Sequence, residues 1–308
     1  MSFFDVLIVG SGSAALAAAA FTLVPQRYSV LLFETGDCST PSTHHRHGIE
    51  WWPNRCEAFF HAWARKKLGF YDCFTKSDVE VTSLTKIDGG FQATDKTGAT
   101  FKGKRVILTS GVMNVFPNIP GYADCFGRGI FHEFIDPSTQ YNPAYQKDPS
   151  GFHSGILAID PTAMLQFDCQ LRRSYQPPHP ITIYTHGNKE MAETVAPFCD
   201  GRPWETDNRK IVKLELSKLG PTAVEITFED GTTVTETYIG HAPIVQLGGS
   251  FAQQLGLETT LPWFETNVPG VYAAGDGVSP CRVWPSACAS GLLAALGLHW
   301  EAAGVNMQ

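Results

Sequence analysis

The first forty residues alternate short apolar runs with small or polar residues. F-F-D-V-L-I-V-G, which ends at Gly10, is a continuous run rich in Val and Ile and predicts a buried strand. The Ala-rich stretch L-A-A-A-A-F-T-L predicts a helix, and Y-S-V-L-L-F-E, which ends at Glu34, predicts a second buried strand. The predicted order is therefore strand, glycine turn, helix, strand and acid.

The turn after the first strand reads G-S-G-S-A-A and has the form of the dinucleotide fingerprint G-x-G-x-x-G/A. Gly10 permits the tight turn, Gly12 lets the backbone approach a pyrophosphate, and Ala15 keeps the helix close to the sheet. Free N–H groups at the start of the helix can face the phosphates, and Glu34 stands where an acid binds a ribose hydroxyl. The pattern predicts a dinucleotide site, although a close-packed strand–helix–strand unit without a ligand is the alternative. The predicted contacts in the turn are Gly10, Gly12, Ser13, Ala14 and Ala15.

A second informative stretch lies near the carboxyl terminus. V-Y-A-A-G-D predicts a short buried strand that ends in a turn at Gly275 and Asp276. Small residues from Ser286 to about Leu298 predict a helix that packs closely on a neighbour and can point its amino terminus at a ligand. V-I-L-T-S-G, which ends at Gly111, predicts a further strand with a small-residue turn.

The middle of the chain predicts further β-structure. P-I-T-I-Y-T-H-G, residues 180–187, fits an inner strand of a sheet. V-K-L-E-L-S-K and A-V-E-I-T-F-E-D-G-T-T-V have alternating faces and fit a β-hairpin.

Composition and charge narrow the possible classes. A chain of 308 residues with 43% hydrophobic residues and 29 Gly suits one large or two ordinary globular domains. The net charge of −7, without a basic stripe, argues against nucleic-acid binding. Only 17% of residues are charged, which would suit an oligomer or an apolar substrate.

The eight cysteines are scattered, and none is spaced C-x-x-C. This argues against a disulfide scaffold and against a zinc site, and it predicts free thiols in a reducing compartment. The amino terminus lacks the basic region of a signal peptide, and no apolar run reaches about 18 residues. We therefore expect a cytoplasmic protein that does not span a membrane.

G-S-G-S-A-A, I-L-T-S-G and V-P-G-V-Y-A-A-G-D together resemble, in order along the whole chain, the motifs of the thioredoxin-reductase-like flavoproteins. The resemblance implies an α/β fold of two Rossmann-like dinucleotide-binding domains and a homodimer. A three-layer FAD domain would comprise 1–115 and 242–308, and 116–241 would form a smaller inserted NADPH-type domain. The segment H-H-R-H-G is similar to the fungal, gliotoxin-type dithiol oxidases of this family.

The resemblance also implies the contacts of FAD. Asp276 would lie beside the ribityl chain and the pyrophosphate, and the helix after it would point at the flavin ring. Arg282 would stabilise a reduced, anionic flavin, although a surface ion pair is the alternative. The implied cofactor contacts beyond the first turn are Glu34, Gly111, Gly275, Asp276, Arg282 and Trp284.

The inserted domain departs from the family pattern in two places. The family has a C-x-x-C redox pair there, and F-H-E-F-I-D puts Glu133 and Asp136 in the positions of the two cysteines. A second glycine turn should follow for NADPH, but its best match, residues 150–158, lacks the G-x-G core. Arg172 and Arg173 are more simply solvated helix charges than a 2′-phosphate pocket. We expect nicotinamide binding to be lost.

Without the dithiol the disulfide relay cannot run, because a thiolate is its nucleophile. Glu133 and Asp136 are then candidates for the general acid or base beside the flavin. His45 and His47 are further candidates for the base. With His44 they also resemble a metal cluster, but no other ligand is placed and no metal is predicted.

Other residues have both a functional and a structural interpretation. Trp51 and Trp52 would form a stacking wall for a flat or aromatic substrate, or they would pack their loop on the sheet. Cys281 and Cys288 are seven apart, on roughly one helical face, and are best explained as packing residues.

The sequence thus predicts an FAD-dependent oxidoreductase of the oxidase type, which acts on a small secondary-metabolite substrate and uses molecular oxygen. Three alternatives remain open. The first is a non-redox flavoenzyme that uses Glu133 and Asp136 for proton chemistry. The second is an NADPH-dependent reductase, and the third is a scaffold that binds FAD without catalysis.

Overall fold

The chain divides into two compact units. The computed structural model describes residues 3–34, 57–131, 153–161, 180–258, 264–279 and 284–305. Unit 1 comprises the described residues up to 113 and from 245 onward, and unit 2 comprises those between 114 and 244. The predicted assignment of 1–115 with 242–308, and of 116–241, to two nucleotide domains stays a prediction.

The described residues form seventeen strands and six α-helices. The strands are β1 (Phe3–Val9), β2 (Val30–Phe33), β3 (Phe74–Ser77), β4 (Val81–Ile87), β5 (Gly90–Asp95), β6 (Thr100–Leu108), β7 (Val112–Val115), β8 (Ile130–Phe131), β9 (Ser154–Leu157), β10 (Ile181–Tyr184), β11 (Trp204–Asp207), β12 (Ile211–Leu216), β13 (Val224–Phe228), β14 (Thr233–Glu236), β15 (Ile239–Gly240), β16 (Ile244–Leu247) and β17 (Val271–Ala273). The helices are α1 (Ser13–Ala18), α2 (Glu57–Leu68), α3 (Tyr122–Cys125), α4 (Lys189–Val195), α5 (Phe251–Leu255) and α6 (Trp284–Ala302).

Unit 1 is built on a seven-stranded sheet. Six strands have the order β3-β2-β1-β6-β5-β4, and the seventh, β17, pairs with β6. Strand β6 is shared by two partners along one edge. Its first half pairs with β5 in an antiparallel meander, and its last three residues pair with β17 in parallel. Strands β3, β2, β1, β6 and β17 are therefore all parallel and end at the same edge.

Alternating side chains of β1 face two different layers, which explains its continuous apolar run. Val6 and Ile8 pack in a core with residues of α1 and α6. Leu7 and Val9 pack on the other face with residues of the meander. Only the second half of the predicted buried strand is fully buried. Phe3, at the amino end of the strand, is 43% exposed.

The predicted Ala-rich helix is α1, which continues through a π-helical turn at Ala19–Leu23. The predicted small-residue helix is α6, which packs on α1 so closely that a Cβ on Gly291 would overlap the Ala14 carbonyl oxygen. Helix α6 extends beyond the predicted end at Leu298. There the Glu301 carboxylate accepts a hydrogen bond from the Tyr272 hydroxyl at 3.0 Å, which ties the last turn to the sheet.

Unit 2 repeats this plan in a smaller form. A parallel sheet has the order β11-β10-β9-β15-β8, and β12, β13 and β14 form an antiparallel meander. The predicted inner strand is confirmed as β10, and the predicted hairpin is confirmed as β12 and β13. β14 and β15 follow one another closely in the sequence. They correspond to the two halves of β6, because β14 pairs within the meander and β15 pairs within the parallel sheet. The fifth parallel strand is β8, which comes before the others in sequence, whereas its counterpart β17 in unit 1 comes last.

Candidate dinucleotide site

Four predicted motifs of unit 1 meet at the carboxyl edge of its parallel strands. Val9 pairs in register with Phe33 and Leu108, and Leu108 pairs with Ala273. The residues that follow these four positions are therefore neighbours at one edge. In open α/β sheets ligands bind at this edge. The segments brought together are the G-S-G-S-A-A turn, Glu34, the T-S-G turn at 109–111, and the G-D turn at 275–276.

Gly10 is required by the backbone of the first turn. Its φ of 112° lies in the region that side chains disfavour, and a Cβ there would overlap the carbonyl oxygen of Thr109. The Gly10 N–H donates to the Phe33 carbonyl at 3.1 Å, and the Thr109 N–H donates to the Val9 carbonyl at 2.8 Å. These bonds hold the turn against both neighbouring strands.

Gly12 has the opposite surroundings. It is the N-cap of α1, and no atom lies within 4 Å of the place where a Cβ would stand. The space beside the first N–H groups of α1 is therefore open to a phosphate, as the motif predicts. Ser13, Ala14 and Ala15 are buried in the first turn of the helix.

Glu34 lies directly after β2, buried and paired with two cations. Its carboxylate accepts a hydrogen bond from the Arg65 guanidinium of α2, and Lys76 Nζ of β3 lies 3.4 Å from Oε2. Oε2 is buried and has no hydrogen-bond partner among the described residues. A ribose hydroxyl would donate to this oxygen, so the residue fits the adenosine half of a dinucleotide.

The G-D turn is held by α6. The Gly275 N–H donates to Ser290 Oγ at 2.9 Å, and the φ of Gly275 is 87°. A Cβ on Gly275 would stand 3.3 Å from the Cβ of Ala14, so this turn lies against the start of α1. Asp276 is partly exposed at the same edge. Gly111 has a φ of 65° and accepts a hydrogen bond from the Gly248 N–H at 2.9 Å.

The remaining predicted site residues have different outcomes. Trp284 is the first residue of α6 and is partly buried. The other predicted residues lie outside the described part of the chain, and their roles stay predictions. These are Glu133, Asp136, His44, His45, His47, Trp51, Trp52, Cys281 and Arg282.

Two residues of α2 reach the site without having been predicted. His61 is 2% exposed, and its Nε2 lies 3.2 Å from Ser13 Oγ in the glycine turn. Arg65 lies one helical turn later and binds Glu34. The sequence shows that His61 and Arg65 are four residues apart, but it does not show that this face of the helix points toward the sheet.

The predicted second glycine turn at 150–158 is wrong in its placement. Ser154–Leu157 is a strand, β9, which contains Gly155. Glycine is needed at this position because a Cβ would stand only 2.9 Å from the Tyr184 ring. The turn that corresponds to G-S-G-S in unit 1 is therefore A-I-D-P, Ala158 to Pro161. This turn contains no glycine.

The next turn of unit 2, Thr185 to Asn188, has no lysine or arginine. His186 Nδ1 accepts a hydrogen bond from the Ile211 N–H at 3.0 Å, and burial together with the nearby Lys210 charge lowers the pKa of His186. Asn188 caps α4 by accepting from the Met191 N–H at 3.0 Å. These polar groups serve the fold, and a neutral His186 offers no charge to a 2′-phosphate.

Asp160 places a carboxylate in the A-I-D-P turn. Its Oδ2 lies 3.8 Å from Nε2 of His241, which follows β15, and Nδ1 of this buried histidine lies 2.6 Å from the Tyr122 hydroxyl. Burial raises the pKa of Tyr122 far above its ordinary range. The edge that would hold a pyrophosphate therefore carries a negative charge instead of glycine N–H groups.

The described cysteines form no disulfide. Burial raises the pKa of the Cys125 thiol to about 11, so this thiol is protonated and unreactive near neutral pH. The described residues contain no cluster of three or more side chains suited to a metal ion. In the same part of the chain, no helix has the length and apolar character needed to cross a membrane.

Comparisons with known proteins identify the family of this chain. Residues 4–140 match the model of the pyridine nucleotide-disulphide oxidoreductase family. A protein named thioredoxin reductase aclD from Aspergillus oryzae is 33% identical over 96% of this chain and 95% of its own length. One named thioredoxin reductase from Gibberella zeae is 30% identical over 95% of this chain and 96% of its own. Their fungal origin agrees with the branch that the sequence motifs resemble.

Solved structures confirm the predicted fold class. An oxidoreductase from Agrobacterium tumefaciens has a TM-score of 0.80 at 21% identity and covers 99% of this chain and 100% of its own. A putative thioredoxin reductase from Bacillus anthracis has a TM-score of 0.79 at 18% identity, with 98% and 99% covered. Both have the α/β architecture of two Rossmann-like domains, and the cofactor that the unit 1 edge fits is FAD. The chain therefore belongs to the pyridine nucleotide-disulphide oxidoreductase family, as a thioredoxin-reductase-like flavoprotein.

Proposed function

We propose that this oxidoreductase takes electrons from a small organic substrate and passes them to molecular oxygen, without a nicotinamide nucleotide and without a redox disulfide. The observation that carries the proposal is the A-I-D-P turn after β9 in unit 2. It stands where the fold of unit 1 has a glycine turn for phosphates.

Three features of this edge oppose a nicotinamide nucleotide. Side chains replace the glycines that let a backbone approach a pyrophosphate. The Asp160 carboxylate would repel the phosphates. The turn after β10, Thr185 to Asn188, contains no lysine or arginine, and its only basic residue, His186, has a lowered pKa.

The second half of the proposal rests on the cysteines. The sequence has no C-x-x-C pair, so the electrons have no thiol route out of the flavin. When bound, FAD supplies a two-electron acceptor, and oxygen would complete the cycle by accepting two electrons and two protons to give hydrogen peroxide. The substrate would be oxidised by the loss of a hydride to the cofactor and of a proton to a base.

The chain's own residues have distinct parts in this scheme. The N–H groups at Gly12 and Ser13 would hold the pyrophosphate, and Glu34 would accept from the ribose. Glu133 and Asp136 remain the predicted pair for the proton, and their position beside the flavin is part of the proposal. The match of F-H-E-F-I-D to the family's C-x-x-C spacing, with carboxylates in place of the thiols, is what supports an acid–base role.

The proposed substrate is a small molecule of secondary metabolism, and the proposed assembly is a homodimer. Both follow from the resemblance to the fungal branch and from the low content of charged residues, 17%. Cytoplasmic placement is proposed on the scattered cysteines.

A second candidate function is an NADPH-dependent reductase. It is favoured by the names of the relatives, which are called thioredoxin reductases. The two candidates differ in the source of electrons, so one experiment separates them.

The experiment follows the flavin absorbance at about 450 nm in the anaerobic holoprotein. With millimolar NADPH, and separately with NADH, we expect the absorbance to persist. The same protein, reduced by light and then mixed with oxygen, should regain its absorbance and release one hydrogen peroxide per flavin. Rapid bleaching by NADPH would instead establish the reductase.

The acid–base pair is tested on the same signal. Candidate substrates are screened for anaerobic bleaching of the flavin, and the best is used with Glu133→Gln and Asp136→Asn. We expect these variants to keep FAD and to react with oxygen normally, but to be reduced by substrate at least about a hundredfold more slowly. Unchanged reduction in both variants would remove the pair from the mechanism.

A further inference from the structure

We propose that helix α2 forms a second wall of the site for the adenosine diphosphate half of FAD, with Arg65 and His61 as its positioning residues. Arg65 would orient Glu34 for the ribose, and His61 would orient Ser13 in the phosphate turn. The nucleotide motif in the sequence contains neither residue, and nothing in its spacing indicates α2.

The contact of His61 reaches the glycine turn itself. Ser13 is the first residue of α1, and its hydroxyl lies 3.2 Å from His61 Nε2, with both side chains more than nine-tenths buried. A hydrogen bond to the Ser13 side chain fixes the rotamer of the residue whose N–H faces the phosphates. The contact therefore orients the phosphate turn from the side of α2.

The contact of Arg65 reaches the ribose position. Its guanidinium donates to one oxygen of Glu34, and Lys76 pairs with the other at 3.4 Å. The two cations hold the Glu34 carboxylate in place on both oxygens, although its side chain is only 7% exposed.

Two buried atoms of the Glu34–Arg65 pair point to a ligand here. Glu34 Oε2 and Arg65 Nε make no hydrogen bond to the described residues, and the ion pair of Oε2 with Lys76 at 3.4 Å leaves that oxygen room to accept one. A vicinal diol, as in ribose, can donate to the carboxylate and accept from the guanidinium. The pair thus matches the chemistry of a sugar better than that of a phosphate, which has no proton to donate to Glu34 in its ionised form.

One rigid element joins the two contacts. His61 and Arg65 are four residues apart, so they lie on the same face of α2. Ala64 and Leu68 anchor that helix in the core that also contains α1. A single packing arrangement therefore sets the distance between the phosphate turn and the ribose acid.

The test measures FAD dissociation from the full-length holoprotein by the rise in flavin fluorescence, together with the melting temperature. We expect Arg65→Met to raise the dissociation constant for FAD about tenfold and Arg65→Lys about threefold. His61→Leu should raise it about threefold to tenfold, and His61→Asn, which keeps a side-chain hydrogen bond, should recover most of this loss. Lys66→Met removes an exposed charge from the same helix and should change it less than about twofold.

A double-mutant cycle shows whether Arg65 acts through Glu34. In the Glu34→Gln background we expect Arg65→Met to change FAD affinity less than about threefold, because its target charge is gone. If the double variant instead loses FAD affinity by the product of the two single losses, the proposal is overturned. A lower melting temperature with unchanged FAD affinity in both Arg65→Lys and His61→Leu would also overturn it, since these residues would then serve the fold alone.

Discussion

The turn after β1 in unit 1 and the turn after β9 in unit 2 occupy equivalent places, each at the end of the middle one of five parallel strands. The first is G-S-G-S and leaves open space beside Gly12. The second is A-I-D-P and carries the Asp160 carboxylate. The strands around both turns are equally well buried, with Val6 to Val9 at most 4% exposed and Ser154 to Leu157 at most 1% in the side chains measured.

The difference shows that the apolar core and the ligand site are specified by separate residues. Alternating Val, Ile and Leu residues maintain each sheet whatever its turns contain. The ability to hold a pyrophosphate depends on a few positions at the carboxyl edge. Unit 2 can therefore keep its fold while it loses a nucleotide, and substitutions at the turns should separate the two properties.

The largest effect is expected for Gly10→Ala. A Cβ at this position would overlap the carbonyl oxygen of Thr109, and the φ of 112° is strained for alanine. The strands must separate locally, so we expect unfolding stability to fall by roughly 3 kcal/mol and FAD to be lost. Urea denaturation and the flavin content after purification measure the two effects.

The control is Gly98→Ala, in the turn that joins β5 to β6. Its φ is 86°, but no atom lies within 4 Å of a Cβ. Only backbone strain remains, so stability should fall by about 1 kcal/mol with FAD retained. Equal losses of stability in both variants would show that close packing at Gly10 is not the cause.

A smaller and more selective effect is expected for Gly12→Ala. The new methyl group meets no protein atom, so the melting temperature of the FAD-free protein should hardly change. It would occupy the space needed by the pyrophosphate, and we expect FAD to bind at least about tenfold more weakly, about 1.4 kcal/mol. Fluorescence titration with FAD measures this loss.

Gly187→Ala is a control change in unit 2. Gly187 follows β10, and no atom lies within 4 Å of a Cβ there. Its φ of 80° makes some loss of stability the expected result, without any change in FAD affinity. A weaker affinity for FAD in this variant would contradict the assignment of FAD to unit 1.

The last effect depends on pH and concerns a buried acid in unit 2. Burial raises the pKa of Glu236 from 4.5 to about 7, against a lowering contribution from the Tyr184 hydroxyl, which donates to it at 2.5 Å. The folded protein thus holds this proton where the unfolded chain releases it. Glu236 therefore favours folding below about pH 4.5, and up to roughly 3 kcal/mol is lost as the pH rises toward 7 and beyond.

Glu236→Gln removes this titration while its side-chain oxygen can still accept from Tyr184. The difference in unfolding free energy between variant and parent should shift in favour of the variant between about pH 5 and 8. Urea denaturation across that range measures it. A difference that is independent of pH would show that Glu236 is already ionised in the folded protein.

Local patterns were sufficient to predict much of unit 1. The order of β1, the glycine turn, α1 and β2 follows from continuous apolar runs and from small residues at fixed spacing. The G-D turn after β17 was predicted for the same reason. In each case the residues that define the feature are close together in the sequence.

Tertiary packing explains what the sequence did not show. Gly155 looked like part of a turn, but it lies within β9. It is glycine because the Tyr184 ring leaves no room for a side chain. Nothing in the sequence indicated a role for Arg65, and only the position of α2 against the sheet brings it to Glu34. Contacts between residues far apart in the sequence decided both.

The double pairing of β6 also has a consequence for synthesis on the ribosome. The end of this strand must wait for β17, which begins at Val271, about 160 residues after β6 ends. Every strand of unit 2 precedes β17, so its sheet can form while unit 1 still lacks a parallel strand and the helix α6. A nascent chain therefore cannot close its FAD turn at Gly275 until every strand of unit 2 has been translated, and flavin capture by unit 1 follows the synthesis of unit 2.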